Sequence, residues 1–215
     1  MKKVLDIIAH RGFWLESNQK NSIEAFKLAL NNGFGIETDL RDFNGKIVIS
    51  HDVPNEACIT FKDFLAIVQK YSPQTLALNI KSDGLHELSK KDLGNFTKYF
   101  FFDMSVPDTL GYSQSQLIFY TRYSDIELHP ALLNESSGVW LDNFSSNILD
   151  IDSLDRFLNL NKNVVLVSPE LHGFEYEGYW NQLLKYLKLN PDKVQYIGLC
   201  TDKPMDAKEF FSYAE

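Results

Sequence analysis

Short runs of Val, Ile, Leu and Phe recur along the chain with amphipathic stretches between them, the alternation expected when parallel strands are joined by helices. The runs predict strands over 4–9, 35–40, 46–50, 76–80, 99–103, 116–120, 138–142, 163–168 and 195–200. Helical patterns fill most of the gaps. One spans 22–31 with Ser22 as its N-cap, a second spans 60–70 with Thr60 as N-cap and Asp63 at capping-box spacing, and two more span 150–160 and 178–188. Between Leu40 and Lys46 there is no room for a crossover helix, because a parallel connection needs about a dozen residues. Asn44-Gly45 within that gap is a hairpin signal, so 46–50 is predicted as an antiparallel arm on the second strand.

Setting the arm aside leaves eight strands in βα alternation. That is the count of a TIM (β/α)8 barrel, here a compact α/β example with an extra hairpin arm after strand 2, and the whole chain, 1–215, is expected to form one such domain. A doubly wound open sheet is the alternative. It wants a glycine-rich phosphate loop after strand one, where this chain carries His10-Arg11-Gly12 instead.

Composition narrows the partners. At 44% hydrophobic and 23% charged residues the chain is an ordinary folded protein. Its 21 Lys and Arg against 29 Asp and Glu give a net charge of -8, which argues against a nucleic-acid partner, since that affinity needs a dominant basic surface. No stretch approaches the roughly 18 apolar residues that span a bilayer, and Asp6 interrupts the apolar run near the N-terminus, so neither a secretion signal nor stable membrane insertion is expected. Cys58 and Cys200 fit no CxxC or zinc spacing, which predicts two reduced thiols in a cytoplasmic protein.

A TIM barrel carries its chemistry at the carboxyl ends of its strands, and here those ends are unusually polar. Strand one stops at His10-Arg11, strand two carries Glu37 and Asp39, the arm runs into His51-Asp52, and the next strand yields Asn79 and Lys81. Glu37 and Asp39 are two apart, so both carboxylates point to one face while Ile36, Thr38 and Leu40 face the helices. Carboxylates forced together either share a proton or hold a hard divalent cation such as Mg²⁺ or Ca²⁺. Asn79 and Lys81 share the same spacing, offering an amide oxygen and a cation to one space. A two-residue turn at Asn44-Gly45 sets Asp39 opposite Ser50 and Glu37 opposite Asp52, bringing His51 beside the carboxylates. The set suits phosphodiester cleavage, in which cationic groups neutralise the phosphate oxygens and two imidazoles serve as general acid and base.

The stretch from Ile8 to Asp52 resembles the glycerophosphodiester phosphodiesterases, within the wider phospholipase-C-like phosphodiesterase barrels. The family pattern of His-Arg-Gly, an Asn-Thr-x-x-Ala-Phe helix start, Glu-x-Asp, a glycine turn and His-Asp appears here as His10-Arg11-Gly12, Asn21-Ser22-Ile23-Glu24-Ala25-Phe26, Glu37-Thr38-Asp39, Gly45 and His51-Asp52. Further on, the strand Leu76 to Lys81 resembles the family's Glu-Ile-Lys strand, and Thr201-Asp202-Lys203-Pro204 its closing Thr-Asp-x-Pro. The resemblance implies a cation-assisted phosphodiesterase of small-molecule or polymer-derived glycerol-like diesters. In it His10 and His51 exchange roles as acid and base, Glu37, Asp39 and Asn79 stand at the metal, and Arg11 and Lys81 hold the phosphate. A neighbouring hydroxyl or water displaces the alcohol, with a cyclic phosphate as intermediate or product.

Asn79 is the main departure, because the family pattern has an acid there; an amide oxygen still coordinates Mg²⁺ or Ca²⁺, but with one negative charge fewer. Asp103, Asp142 and Glu170, near later strand ends, are candidate compensating acids. The segment Val167 to Gly173 replaces the family's Trp-Thr strand end and reads either as a reshaped pocket or as a Pro-initiated loop. Trp14, Tyr120, Trp140 and Trp180 either stack on a sugar or glycerol-like group or belong to the core, whereas Phe100 to Phe102 is core. The loss of an acid at Asn79 also admits a catalytically silent barrel that binds a phosphorylated ligand. Retention of both histidines speaks against it, since a pure binder needs no acid-base pair. An amidohydrolase-type barrel would want His-x-His on strand one, and this chain has Ala9-His10-Arg11. Nothing in the sequence marks an oligomeric state.

Overall fold

Nine strands and seven α-helices run through the residues that the computed structural model describes, 4–71 and 74–212. Backbone packing divides the described residues into two compact units, one within 9–119 and one of 4–8 with 120–212.

In the unit 9–119, β2 (Gly35–Phe43), β4 (Leu76–Ile80) and β5 (Tyr99–Phe102) lie side by side and parallel, and β3 (Lys46–Ile49) runs antiparallel to β2. The β2–β3 register, Leu40 with Ile49 through Phe43 with Lys46, leaves Asn44 and Gly45 as the turn residues, with φ of 49° and 74°. Positive φ at both positions is the demand of a tight hairpin turn, which Asn-Gly meets at little steric cost. The pairing continues one step, since the Ser50 N–H donates to the Asp39 carbonyl at 3.0 Å.

Helix α1 (Ile23–Asn31) starts where the Ser22 hydroxyl accepts from the Ala25 N–H. α2 (Phe61–Val68) starts where Thr60 accepts from the Asp63 N–H and donates its own hydroxyl to the Asp63 carboxylate at 2.6 Å. The two helices meet through the fully buried rings of Phe26 and Phe64, edge to face at 4.8 Å; each such ring is worth about 1.5–3 kcal/mol in burial alone. α3 (His86–Leu93) and α4 (Val106–Gln114) follow β4 and β5.

In the other unit β6 (Tyr120–Tyr123), β7 (Gly138–Leu141), β8 (Asn163–Val167) and β9 (Ile197–Thr201) are parallel neighbours. α5 (Ile151–Asn159), α6 (Glu177–Leu189) and α7 (Pro204–Ser212) accompany the last three. Residues 124–137, between β6 and β7, form turns instead of a helix. The predicted strand 116–120 is displaced: Gln116 takes a φ of 58°, Phe119 makes one isolated bridge to Phe101, and the strand proper starts at Tyr120. Its continuation, Thr121-Arg122-Tyr123, is polar, so an apolar run does not reveal it.

With β1 (Asp6–His10) included, the sheet order is β5-β4-β2-β1-β9-β8-β7-β6, with β3 on β2 alone. This is the α/β topology of a TIM barrel with an added arm after its second strand, as the periodicity predicts. No helix among the described residues is long and apolar enough to cross a membrane, and Cys58 and Cys200 are free thiols.

Gly12, directly after β1, has φ of +85°, and a Cβ there would lie 2.9 Å from the Ala25 carbonyl carbon. Left-handed backbone costs a side chain about 1–2 kcal/mol and the contact adds an overpacking cost of about 1–3 kcal/mol. Gly12→Ala is therefore expected to lower the urea midpoint by an amount equivalent to about 2–5 kcal/mol; an unchanged midpoint would mean that α1 yields freely.

Candidate active site

β1 delivers His10 and β2 delivers Glu37 and Asp39, the two acids lying among the most buried side chains of the chain at 2% and 0% exposure. Strand alternation makes this possible, because Ile36, Thr38 and Leu40 occupy the other face. His10 Nε2 lies 3.8 Å from Glu37 Oε2, and the Arg11 backbone N–H donates to the same oxygen at 3.2 Å. Burial first, and the Asp39 charge second, push the Glu37 carboxyl up to about 7, against the opposing pull of His10, Arg11 and Lys81.

Asp39 is ringed by opposite charge. Arg11 Nε stands 3.0 Å from Oδ2, within ion-pair distance although its N–H is not aligned with that oxygen, and Lys81 Nζ stands 3.6 Å from Oδ1. The directional bond to the carboxylate comes from Asn21, whose Nδ2 donates to Oδ2 at 2.9 Å. Asn79 on β4 is the register partner of Asp39. Asp39 Oδ1 and Asn79 Oδ1 are both buried acceptors without a hydrogen-bond donor. Neighbouring acceptors that lack donors fit a hard cation, with Glu37, Asp39 and Asn79 as the residues able to hold it. Among the described residues no three His, Cys, Asp or Glu side chains converge as a metal group, since the third position here is an amide.

His51 follows the arm, where its Nδ1 meets Asp52 Oδ1 at 2.9 Å and Arg41 Nε donates to its carbonyl at 3.1 Å. Among the described residues it makes no hydrogen bond or ion pair to Glu37 or Asp39. It shares with Arg11, Asn21, Ser50 and Asp52 the wall of a polar cleft of about 580 Å³. The structure thus joins His10, Arg11, Glu37, Asp39 and Lys81 by direct contact and Asn79 by strand register, and brings His51 to Arg11 across the cleft.

Of the candidate compensating acids, Asp103 lies 3.7 Å from Lys81 Nζ, in the same unit as the carboxylate pair. Asp142 accepts from His172 Nε2 at 2.7 Å, a bond that raises the imidazole above its ordinary pKa. Glu170 accepts from the hydroxyls of Ser168 and Thr201 and from the Asp202 N–H, inside the 3-10 turn Pro169–His172 that the Pro-initiated reading of this segment anticipates. Trp140 and Trp180 are core, as are Phe100, Phe101 and Phe102, and the Tyr120 hydroxyl is pushed above its ordinary pKa by burial. Trp14 is half-buried beside the site; its indole N–H donates to the His10 carbonyl at 3.0 Å, and Lys20 Nζ lies 4.4 Å from the ring centre.

Sequence reasoning missed two contributors. It sent Thr38 to the helices and treated Asn21 as a helix-start motif, yet the Thr38 hydroxyl donates to Asn21 Oδ1 at 2.8 Å. A polar Thr among apolar neighbours on a buried strand face is the available signal.

No family model and no curated protein matches the sequence. Solved structures do. The chain is similar to a glycerophosphodiester phosphodiesterase from Parabacteroides distasonis ATCC 8503, with a TM-score of 0.72 at 16% identity over 100% of both chains. A second from Agrobacterium tumefaciens str. C58 gives 0.70 at 15% over 98% of this chain and 99% of that one. A third from Thermotoga maritima gives 0.63 at 13% over 95% and 98%. The likeness shows a shared fold over the length of the chain.

Proposed function

We propose that this chain is a divalent-cation-assisted phosphodiesterase of glycerophosphodiester-like substrates, built as one barrel domain over 1–215. The observation that carries the reading is the buried Glu37–Asp39 pair beside Asn79, with donorless oxygens on Asp39 and Asn79 and the cations Arg11 and Lys81 around them. The name borne by the three solved structures described above supplies the reaction class. A bound Mg²⁺ or Ca²⁺ would draw charge from the phosphate oxygens.

The chain's own groups supply the rest. Arg11 and Lys81 hold the anionic diester electrostatically. One of His10 and His51 takes the proton of the attacking hydroxyl or water as its oxygen bonds phosphorus, and the other protonates the departing alkoxide as the second P–O bond breaks. Asp52 orients His51 through Nδ1, and Glu37 faces His10 Nε2. The polar wall of the cleft favours a hydroxylated alcohol such as glycerol or a polyol-phosphate fragment. The two free thiols accord with a reducing compartment such as the cytoplasm.

Asn79 favours a second reading, a silent barrel that binds a phosphorylated ligand. A ³¹P assay across a panel of glycerophosphodiesters, with Mg²⁺ or Ca²⁺ and again with chelator, separates the two. Chelator-sensitive turnover is the expected result, and its product signal distinguishes cyclic from open phosphate. Line broadening without turnover would establish the silent binder instead.

A further inference from the structure

We infer that Asn21 is a positioning residue that divides the two oxygens of Asp39, holding Oδ2 in place so that Oδ1 is left to a cation. The inference rests on the cation-assisted reading above and concerns how the site is set. Among the described residues Asn21 is the one hydrogen-bond donor to this fully buried carboxylate, at 2.9 Å, whereas Arg11 and Lys81 act on it as charges. A carboxylate held by charge alone rotates toward whichever cation is nearer; a directional bond to one oxygen fixes its plane.

Asn21 is itself fixed from three directions. Its backbone N–H donates to the Arg11 carbonyl at 2.9 Å, its φ is 59°, and its Oδ1 accepts from the Thr38 hydroxyl at 2.8 Å. Thr38 directly precedes Asp39 on β2, so the one carboxamide ties two successive side chains of the strand. The amide has a single workable orientation, because the flipped one would set its oxygen against the carboxylate. Asn meets all three demands: it tolerates the left-handed region better than other side chains, and it carries a donor and an acceptor together. Asp would place two acceptors face to face, and Ser has one oxygen where two opposed groups are required. Without the third acid, the site depends more heavily on how well its remaining oxygens are aimed, and outer partners of this kind typically govern about 10–100-fold in metal affinity.

The test is calorimetric titration of Mg²⁺ and of Ca²⁺ into purified wild-type protein and the Asn21→Gly variant, followed by turnover as a function of cation concentration. Glycine keeps the left-handed backbone and the N–H to Arg11 while removing only the carboxamide. The expected result is cation affinity weakened by about 10-fold or more, with kcat returning toward wild type at saturating cation. General loosening of the fold is read separately, as a lowered urea midpoint in the absence of cation, because bound cation would rescue that as well. Thr38→Val is the companion variant, which leaves Asn21 in place and removes the hydroxyl that orients it; a smaller loss of affinity in the same direction is expected. Unchanged affinity in either folded variant, with binding intact in the wild type, overturns the role of Asn21 and leaves the cation-assisted reading standing. A wild-type protein that binds neither ion overturns both.

Discussion

Alanine at His10 or at His51 is expected to lower kcat on a cleaved diester by about 10²-fold or more, the usual worth of a proton transferred in the transition state. His51 is 45% exposed, so its truncation costs little packing, whereas His10 is 15% exposed and its variant is compared with wild type at equal folded fraction. The two variants are separable by leaving group. With a p-nitrophenyl diester the departing oxygen needs no proton, so the variant lacking the general acid recovers turnover and the variant lacking the base does not. Wild-type turnover by either variant on the natural class of diester removes that histidine from the proton transfers.

The double variant Glu37→Gln, Asp39→Asn is expected to lose the cation response altogether, with affinity falling beyond the roughly 10²-fold that outer partners govern. Neutral amides of the same shape keep one oxygen each, turn the other into an NH2 donor and remove both charges, leaving Arg11 and Lys81 around an uncharged pair. Single substitutions divide the effect. Glu37→Gln should be the milder for stability, because burial already pushes that carboxyl toward its neutral form at about 7. Asp39→Asn deprives Arg11 of this partner and leaves Lys81 to Asp103 alone, at a cost moderated by solvent because Arg11 and Lys81 are 20% and 22% exposed. Divalent-cation affinity unchanged in the double variant, measured by calorimetry, would dismiss both residues as ligands.

The parts of the molecule legible in the sequence are those where one local rule dominates. Asn44-Gly45 demands positive φ at two successive positions, and the arm follows. Glu37 and Asp39 stand out because two like charges at alternate positions between Ile36 and Leu40 have few structural explanations. Strand β6 was obscured because its residues after Tyr120 are polar and the apolar run before it, which follows a turn at Gln116, pairs with β5 through the single bridge Phe119–Phe101. α3 was hidden by its composition, HELSKKDL, in which Leu93 and Ser89 are the buried residues and no apolar stripe stands out. The Asn21–Asp39 bond joins side chains 18 residues apart through a left-handed turn, a geometry that no periodicity announces. The pairing of Arg11 with Asp39 was equally out of reach, since spacing assigns a cation to a neighbourhood but not to a partner.

Trp14 gives the protein an optical reporter at its candidate site. Of the three tryptophans, Trp140 and Trp180 are 7% and 1% exposed, while Trp14 stands half-buried on the His10 carbonyl with an ammonium over its ring. An aqueous quencher such as iodide meets that indole first, and a ligand that draws Lys20 off the ring changes its emission. Occupancy of the site can therefore be followed by intrinsic fluorescence, without a label and without turnover.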